Sequence, residues 1–358
     1  MHLSPDELRR VARVILEAGG SERPEAEVVS DHLVLANLSG HDSHGVGMLP
    51  TYVRNLRNGL LFPNRKPELV QDSGAILIFD GQRGYGQAVG RLAMFAAIER
   101  CQATGLVLMT LRNAHHIGRV GTYGEMAADA GLVSMHFVNV TDHNPIVAPF
   151  RGSDARFTTN PVCLVMPGTE NQPPIILDMA TSKIAAGKAR VAFNKGEEVS
   201  EGALIDSSGR PTRDPSVLFE QPSGALLPFG EHKGYGLALF GELLGGLLSG
   251  GGTIQPGNPR QGSIINNMLT VLIDPARLVD TTWMSAEIEA IVEHCKASPP
   301  AKSDEPVLVP GDPERQSRQD RAAAIPIDTE SWEQILKAAE TLGVDRTTLE
   351  GPEASADP

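Results

Sequence analysis

A chain of 358 residues with 41% hydrophobic and 21% charged residues reads as a soluble globular protein, with room for one large or two ordinary domains. Its net charge of −13 excludes a broad cationic surface, so no nucleic-acid partner is expected. Cys101, Cys163 and Cys295 form no CxxC pair, Met1–Gly20 carries charges throughout, and no run of about 18 apolar residues exists; a disulfide framework, a secretory signal and a membrane partner are not expected, and the reducing cytoplasm is.

In chain order, Ser4-Pro5-Asp6-Glu7 forms a capping box with proline at the first helical position. Leu8, Val11, Val14, Ile15 and Ala18 follow at helical spacing, and Gly19-Gly20 stop the helix. A second helix is expected over Pro24–Leu38, ending at Gly40. It delivers the chain into His41-Asp42-Ser43-His44-Gly45, at a helix C-terminus that favours a cationic imidazole. A third helix runs through Leu49, Tyr52, Val53 and Leu56 to Gly59. From Ala75 the pattern alternates: strands at Ala75–Phe79, Leu106–Leu111, Leu132–Val140, Val162–Met166 and Ile175–Asp178, and helices at Ala88–Arg100, Gly121–Ala130 and Ile184–Phe193. The Gly- and Leu-rich Gly234–Leu248 segment predicts a long helix that is deeply buried or at a subunit interface. Met268–Ile273 is a last strand, and helices return at Ser285–Cys295 and Glu330–Leu342, the latter with a Trp332, Ile335, Leu336, Ala339 stripe. A Pro- and Gly-rich connector surrounds Val309–Pro313, and Gly351–Pro358 reads as a frayed tail. The fold class is α/β (α+β), with a helical domain from both chain ends (1–72 plus 276–358) around an α/β domain (73–275).

Chemistry concentrates in a few Gly-bounded segments. His41, Asp42, Ser43 and His44 are consecutive, and Asn113-Ala114-His115-His116-Ile117-Gly118-Arg119 holds a second histidine pair. We expect the fold to bring them to one pocket. Three uses are open: proton transfer by a histidine near a hydroxyl or carboxylate, a divalent metal, and histidines that only cap or hydrogen-bond. No H-E-x-x-H spacing or clear third carboxylate favours the metal, so none is assigned. Gly84-Tyr85-Gly86-Gln87-Ala88-Val89-Gly90 follows a strand and opens a helix, but its G-x-G-x-x-x-G spacing and the missing acidic residue after Leu106–Leu111 favour close helix–strand packing over a dinucleotide fingerprint. Glu231-His232-Lys233-Gly234 before the long helix is a local anion site, where free N–H groups add to the lysine charge. Thr158-Thr159-Asn160-Pro161 is an Asx/ST turn or a pocket-mouth hydroxyl and amide.

Taken together and in this order, Asp42-Ser43-His44-Gly45-Val46, His115–Arg119, Thr159-Asn160-Pro161, Leu177-Asp178-Met179-Ala180-Thr181-Ser182 and His232-Lys233-Gly234-Tyr235 resemble the malate/L-lactate dehydrogenase family of the non-Rossmann type, which includes ureidoglycolate and sulfolactate dehydrogenases. Gly40–Met48 and Leu308-Val309-Pro310-Gly311 are most similar to its hydroxycarboxylate dehydrogenase B branch. The resemblance covers nearly the whole chain. It implies a sulfolactate-dehydrogenase-like cofactor domain and a homodimer that interconverts 2-hydroxy and 2-oxo acids with NAD or NADP. It implies His44 as proton donor/acceptor with Ser43 beside it, and His116 as the other candidate. Cofactor contacts would fall on His44, on Gly118, Arg119 and Val120, on Ile176, Leu177, Asp178, Met179 and Ala180, on His232 and Lys233, on Asn266 and Asn267, and on Gly311, Asp312, Pro313 and Glu314. Thr159 would touch substrate. Many members carry an arginine four residues after the His44 position to clamp the substrate carboxylate; here that residue is Met48. Arg54, Arg119 or backbone amides would hold the carboxylate instead, and the apolar Met48 suggests a bulky or aromatic 2-oxo acid. The rival is a metal-dependent hydrolase or lyase built on His41, His44, His115 and His116. A non-catalytic binding or scaffold protein is disfavoured by the pooling of histidines at Gly-bounded loops.

Overall fold

The computed structural model describes residues 1–350, so the expected tail, Gly351–Pro358, lies outside the described residues. β1 (His2–Leu3) leads into α1 (Pro5–Ala18), whose capping box forms: Glu7 N donates to Ser4 Oγ at 3.2 Å and Ser4 N donates to the Glu7 carboxylate at 2.7 Å. After α2 (Arg23–Leu38), two 3-10 turns, Asp42–His44 and Val46–Met48, carry the chain into α3 (Leu49–Arg57). Then come β2 (Glu68–Ser73), β3 (Ile76–Asp80), α4 (Gly86–Thr104), β4 (Leu106–His115), α5 (Gly121–Asp129), β5 (Val133–Thr141), β6 (Val162–Met166), β7 (Ile175–Met179) and α6 (Ala186–Lys195). A small sheet of β8 (Leu204–Ile205), β9 (Pro211–Thr212) and β10 (Ala225–Leu226) precedes α7 (His232–Gly241), which continues as a π-helical turn, Glu242–Leu247. β11 (Ile265–Ile273), α8 (Thr281–Lys296), α9 (Asp312–Asp320), β12 (Ile325–Pro326), α10 (Thr329–Glu340) and α11 (Arg346–Glu350) complete the chain.

The large sheet has the order β2-β3-β4-β11-β5-β6-β7. Only β3 and β4 run parallel; every other neighbouring pair is antiparallel. The central strand arrives late in the sequence: β11 inserts between β4 and β5, so that Ile265 lies opposite both His115 and Thr141. The end of β4, the start of β11 and the end of β5 thereby meet at one edge of the sheet. α4 and α5 cover one face over a core that includes Val107, Met109, Leu111, Ala114, Val138 and Met268. A second core joins the chain ends: α1, α2 and α3 pack with Trp332, Ile335, Leu336 and Ala339 of α10, and β1 pairs with β12.

The short β1, β8, β9, β10, β12 and α11 escape the sequence reading, and so do two longer elements, for a physical reason. Every residue of β2 is exposed, so this edge strand shows no alternation to read. α9 (DPERQSRQD) buries no residue fully and offers no apolar stripe. The Gly/Leu-rich segment is neither wholly buried nor wholly exposed. Gly234, Ala238, Gly241, Glu242, Gly245 and Gly246 face the protein, while Leu239, Phe240, Leu243, Leu247 and Leu248 are exposed.

The Gly84–Gly90 run is a packing device. A Cβ on Gly86 would overlap the His115 carbonyl oxygen, and one on Gly90 would lie 2.7 Å from Tyr123 Oη. These glycines let α4 lie directly on β4 and α5. Replacing Gly86 by alanine is therefore expected to destabilise the fold by about 1–3 kcal/mol through overpacking. Gly47→Ala, where no atom lies within 4 Å of the new Cβ, is expected to stay within about 0.5 kcal/mol of the parent. Urea unfolding of the two variants checks this, and equal stabilities would refute the packing assignment.

Candidate active site

The turn that carries the first histidine cluster is held from α2. Asn37 Nδ2 donates to Asp42 Oδ1 at 2.7 Å, and Asn37 Oδ1 accepts from Val46 N at 2.9 Å. Arg321 also donates to Asp42 Oδ1, at 2.7 Å. Ser43 meets the glycine face of α6 at Gly187, where any Cβ would overlap it. His44 Nδ1 lies 3.0 Å from His116 Nε2, and the two rings are nearly parallel, at 10°. The two segments therefore do meet. α3 supports the second one: Tyr52 Oη lies 2.6 Å from His116 Nδ1, and Asn55 Nδ2 donates to His115 Nε2 at 2.9 Å. Tyr52 and Asn55 are three residues apart and share one face of that helix. Gln87 Nε2 donates to Tyr52 Oη at 2.6 Å, which completes a chain Gln87–Tyr52–His116–His44. His44 Nε2 has no hydrogen-bond partner among the described residues and is not among the sealed polar atoms, so it is left open.

The electrostatics correct one expectation. A helix C-terminus does not keep these imidazoles cationic. Burial, then the nearby charges of His41 and Arg119, push the His44 pKa down to about 4. Burial, then Arg83, takes His115 down to about 3, and burial with the neighbouring His44, His115 and His32 puts His116 well below the usual histidine range. Burial raises the Tyr52 hydroxyl, against the opposing hydrogen bond from Gln87. At neutral pH the chain is a series of neutral donors and acceptors.

The four imidazoles of the metal alternative do not converge. His41 Nε2 pairs with Glu314 Oε1 at 3.2 Å, His115 with Asn55, and His44 with His116. Among the described residues no group of three or more His, Cys, Asp or Glu side chains could hold a metal ion. That reading receives no support.

The residues that resemblance gives to a cofactor fall into three groups. Gly118, at φ +75°, leads through Arg119 and the buried Val120 into α5. Arg119 is 1% exposed and bound to Glu125 at 2.8 Å and Asp178 at 3.4 Å; Asp178 also accepts from Gly121 N at 2.8 Å. This ties β7, with Ile176, Leu177, Asp178, Met179 and Ala180 at its end, to the start of α5. Ile176 N donates to Pro310 O at 3.2 Å, which brings Gly311, Asp312, Pro313 and Glu314 alongside. His232 and Lys233 stand exposed at the N-terminus of α7, and Lys233 forms no ion pair among the described residues. Asn266 and Asn267 are buried and engaged with protein: Asn266 Oδ1 accepts from Ile117 N at 3.0 Å and Asn267 Oδ1 from Asn113 N at 2.9 Å. The donor set suits a dinucleotide. The free ammonium of Lys233 matches phosphate, while the N–H groups of Lys233, Gly234 and Tyr235 at the start of α7 are already bonded to Gly230 O, Phe229 O and Glu231 O; the Thr122 hydroxyl in the first turn of α5 is sealed without a partner.

The substrate residues scatter. Met48 is half-buried one turn before Tyr52, packed against the helical core. Thr159 is half-buried, and its carbonyl accepts from Thr181 N at 2.8 Å. Arg54 is exposed, two positions from Tyr52 and so on the other side of α3. Arg119, bound to two carboxylates, is a structural cation and not a free clamp for a substrate carboxylate. Sequence reading missed Tyr52, Asn55 and Gln87. Tyr52 reads only as a member of an apolar stripe, and no local signal announces a partner 64 residues away.

The model of the malate/L-lactate dehydrogenase family matches residues 3–336. An L-lactate dehydrogenase from Cupriavidus necator is 44% identical over 344 residues, covering 96% of this chain and 99% of that protein. Hydroxycarboxylate dehydrogenase B from Escherichia coli (strain K12) is 45% identical over 346 residues, covering 96% of this chain and 95% of the relative. The solved structure of sulfolactate dehydrogenase from Methanocaldococcus jannaschii superimposes with a TM-score of 0.83 at 31% identity, over 98% of this chain and 99% of that one. Family model, relatives and shared fold span almost the whole length, and the chain belongs to the malate/L-lactate dehydrogenase family.

Proposed function

We propose that the protein interconverts 2-hydroxy and 2-oxo acids with NAD or NADP, using His44 as the proton donor/acceptor and His116 behind it. The observation that carries this is the His44–His116 contact at 3.0 Å, with the second ring nitrogen of His44 left open. The bound nicotinamide supplies or accepts the hydride; the protein orients the acid and handles the proton.

The polarity of the chain follows from its end. Gln87 Nε2 donates to Tyr52 Oη, so the Tyr52 hydroxyl donates to His116 Nδ1, His116 Nε2–H donates to His44 Nδ1, and His44 Nε2 carries the proton. In that form His44 Nε2 donates a hydrogen bond to the carbonyl oxygen; the proton that the alkoxide takes comes from His44 once the acid's carboxylate has favoured its protonated form, and the ring returns to neutral. Oxidation needs a lone pair at the same atom. Rotating the Gln87 amide puts Oε1 against the Tyr52 hydroxyl and reverses every donor in the chain. Oε1 is buried without a partner in the first polarity, so the second satisfies it. One set of side chains thus serves both directions.

Ser43 beside His44 and the Thr159 hydroxyl supply neutral donors for the substrate. With Arg119 held by two carboxylates and Arg54 across the helix, backbone amides of the His41–Gly47 turn hold the substrate carboxylate; those of His41, His44, Gly45 and Val46 are bonded within the protein, which leaves Asp42, Ser43 and Gly47 for that role. Met48, one turn from Tyr52, favours a bulky or aromatic side chain over a second carboxylate. The exposed Leu239, Phe240, Leu243, Leu247 and Leu248 support a homodimer through this face, since an apolar stripe of this kind is rarely left to water. Free Cys101, Cys163 and Cys295 fit a reducing cytoplasm, and no described helix is long and apolar enough to cross a membrane.

The first test follows NADH and NADPH oxidation by absorbance with pyruvate, oxaloacetate, phenylpyruvate and hydroxyphenylpyruvate, with and without chelator. Turnover indifferent to chelator is expected, with phenylpyruvate ahead of oxaloacetate. No turnover with any pair, or loss of activity with chelator, would sink the proposal. His44→Asn is expected to lower kcat by about 10²–10⁴-fold, the usual worth of general acid–base help; an effect below about threefold would remove His44 from that role.

pH dependence gives an independent check. In the oxidative direction His44 must be unprotonated, and its folded pKa is near 4. kcat/KM for a 2-hydroxy acid is expected to be flat across neutral pH and to fall only as pH drops toward 4. A limb near the ordinary histidine value of about 6.5 would show that the buried neutral pair is not the operating base.

A further inference from the structure

β4 carries an irregularity just before the two histidines. It pairs regularly with β11 from Leu106 opposite Ile273 to Leu111 opposite Met268, and then resumes with Ala114 opposite Asn266. Arg112 and Asn113 both face Asn267, two residues against one, which is a β-bulge. The β11–β5 ladder has no such break, so the extra residue belongs to β4. Asn113 sits at φ +53°, the left-handed region that asparagine tolerates better than most residues. The consequence for direction is visible in the core. Val107, Met109 and Leu111 point to α4 and α5, and the alternation then continues with Ala114 instead of Asn113. Without the bulge, His115 and His116 would exchange faces.

A chain of buried amides holds the bulge. Asn267 Oδ1 accepts from Asn113 N at 2.9 Å and Asn267 Nδ2 donates to Asn139 Oδ1 at 2.9 Å. Asn139 Nδ2 donates to Glu242 Oε2 at 3.0 Å and to Gly252 O at 3.0 Å. Glu242 is 3% exposed and forms no ion pair among the described residues; Oε2 also accepts from Ile254 N at 2.9 Å and Oε1 from Asn160 Nδ2 at 2.9 Å. The π-helical turn puts this carboxylate there. Its glycines allow the approach, since a Cβ on Gly246 would overlap Asn139 and one on Gly245 would lie 2.8 Å from Phe137 O. Asn160, the other amide on Glu242, is itself at φ +27°, next to Thr159.

We propose that Glu242 is a positioning residue for the proton-transfer pair. It is an acceptor only, so Asn139 must present Nδ2 to it and Oδ1 to Asn267, and Asn267 must then present Oδ1 to the Asn113 N–H. The bulge, and with it the face that His116 shows to His44, depends on that fixed order of donors. The same carboxylate anchors Asn160 on the Thr159 side. Glu242→Gln breaks the order with almost no change in shape. Its amide nitrogen must replace one carboxylate oxygen and so face the donors of Asn139 and Ile254 or that of Asn160: turning Asn139 and Asn267 to relieve the first moves the conflict to Asn113 N–H, and turning Asn160 to relieve the second sets its Oδ1 against Ala238 O.

This inference rests on His44 and His116 being the proton-transfer pair, and its test has an arm that needs no turnover. Long-range proton–nitrogen spectra of protein labelled at histidine, with no cofactor added, report the tautomer and titration of each ring. The parent is expected to show His116 neutral, in the tautomers that the two orientations of Gln87 allow, without titration across neutral pH. In E242Q the His116 ring leaves its place against His44 and titrates closer to the ordinary value. kcat falls by about tenfold to a hundredfold, as a displacement of about 1 Å at a reacting group does, while NADH affinity changes by less than threefold. A folded E242Q with unchanged His116 signals overturns the proposal. If E242Q does not fold, Asn267→Ala, which removes the acceptor without burying a new charge, is read in the same way. If the parent turns over no 2-oxo acid, the dehydrogenase reading fails while the spectra still decide the positioning.

Discussion

Two neutral imidazoles can lie 3.0 Å apart only if one gives a proton and the other receives it. That constraint reaches beyond the pair. His116 can play one role toward His44 only if Tyr52 plays the matching role at its other nitrogen, and Tyr52 is itself set by Gln87. These four side chains come from the turn after α2, from α3, from α4 and from the end of β4. The packing of the helical unit on the sheet is therefore also what sets the protonation of the site. Loss of registry by a few tenths of an ångström would leave a buried polar atom unmatched, at about 1–3 kcal/mol.

The same burial explains why the histidines are held neutral. A cationic imidazole here would lack water and face Arg119 nearby. An anionic substrate changes that balance, because a carboxylate in the pocket favours the charged form of His44. In the proposed function, proton uptake would thus be coupled to binding of the acid, and the protein would need no permanently charged group at the reacting atom. The position held by Met48 fits this economy. A second carboxylate on the substrate would need a cation that Met48 does not offer, whereas an apolar side chain extends the core that Met48 already touches.

Much of this was legible in the sequence, and the division between what was and was not is physical. The capping box at Ser4–Glu7, the apolar stripe of α10 and the alternation of strands and helices are local patterns, and local patterns survive into the structure. The histidine clusters announced themselves by composition, and they do meet. What stayed hidden depends on contacts far apart in the chain. Nothing near Tyr52 marks it as the partner of His116, and nothing near Glu242 marks it as the end of an amide chain reaching Asn113. Arg119 misleads in the opposite sense: an arginine beside a histidine pair reads as a substrate clamp, but Glu125 and Asp178 already hold it. Asn266 and Asn267 show the same pattern, since polar side chains expected at a ligand are engaged with protein: their Oδ1 atoms accept from backbone N–H groups and their Nδ2 groups donate to Asn139.

The buried amides also bear on why the sheet is built as it is. A regular antiparallel pairing of β4 and β11 would satisfy every ladder hydrogen bond and need no side-chain help. The bulge gives up that regularity, places Asn113 at positive φ, and demands Asn267, Asn139 and an uncompensated Glu242 carboxylate inside the protein. Burial raises the pKa of that carboxylate against the hydrogen bonds from Asn139, Asn160 and Ile254 N, so it is held at some cost. Local rules of stability are broken together at one edge of the sheet, the edge where β11 brings Ile265 opposite His115 and Thr141. Such concentrated departures are expected where geometry serves a reaction more than the fold. The same edge carries His115 and His116, and a strand that must turn two adjacent imidazoles in chosen directions cannot keep the simple alternation that stability alone would select.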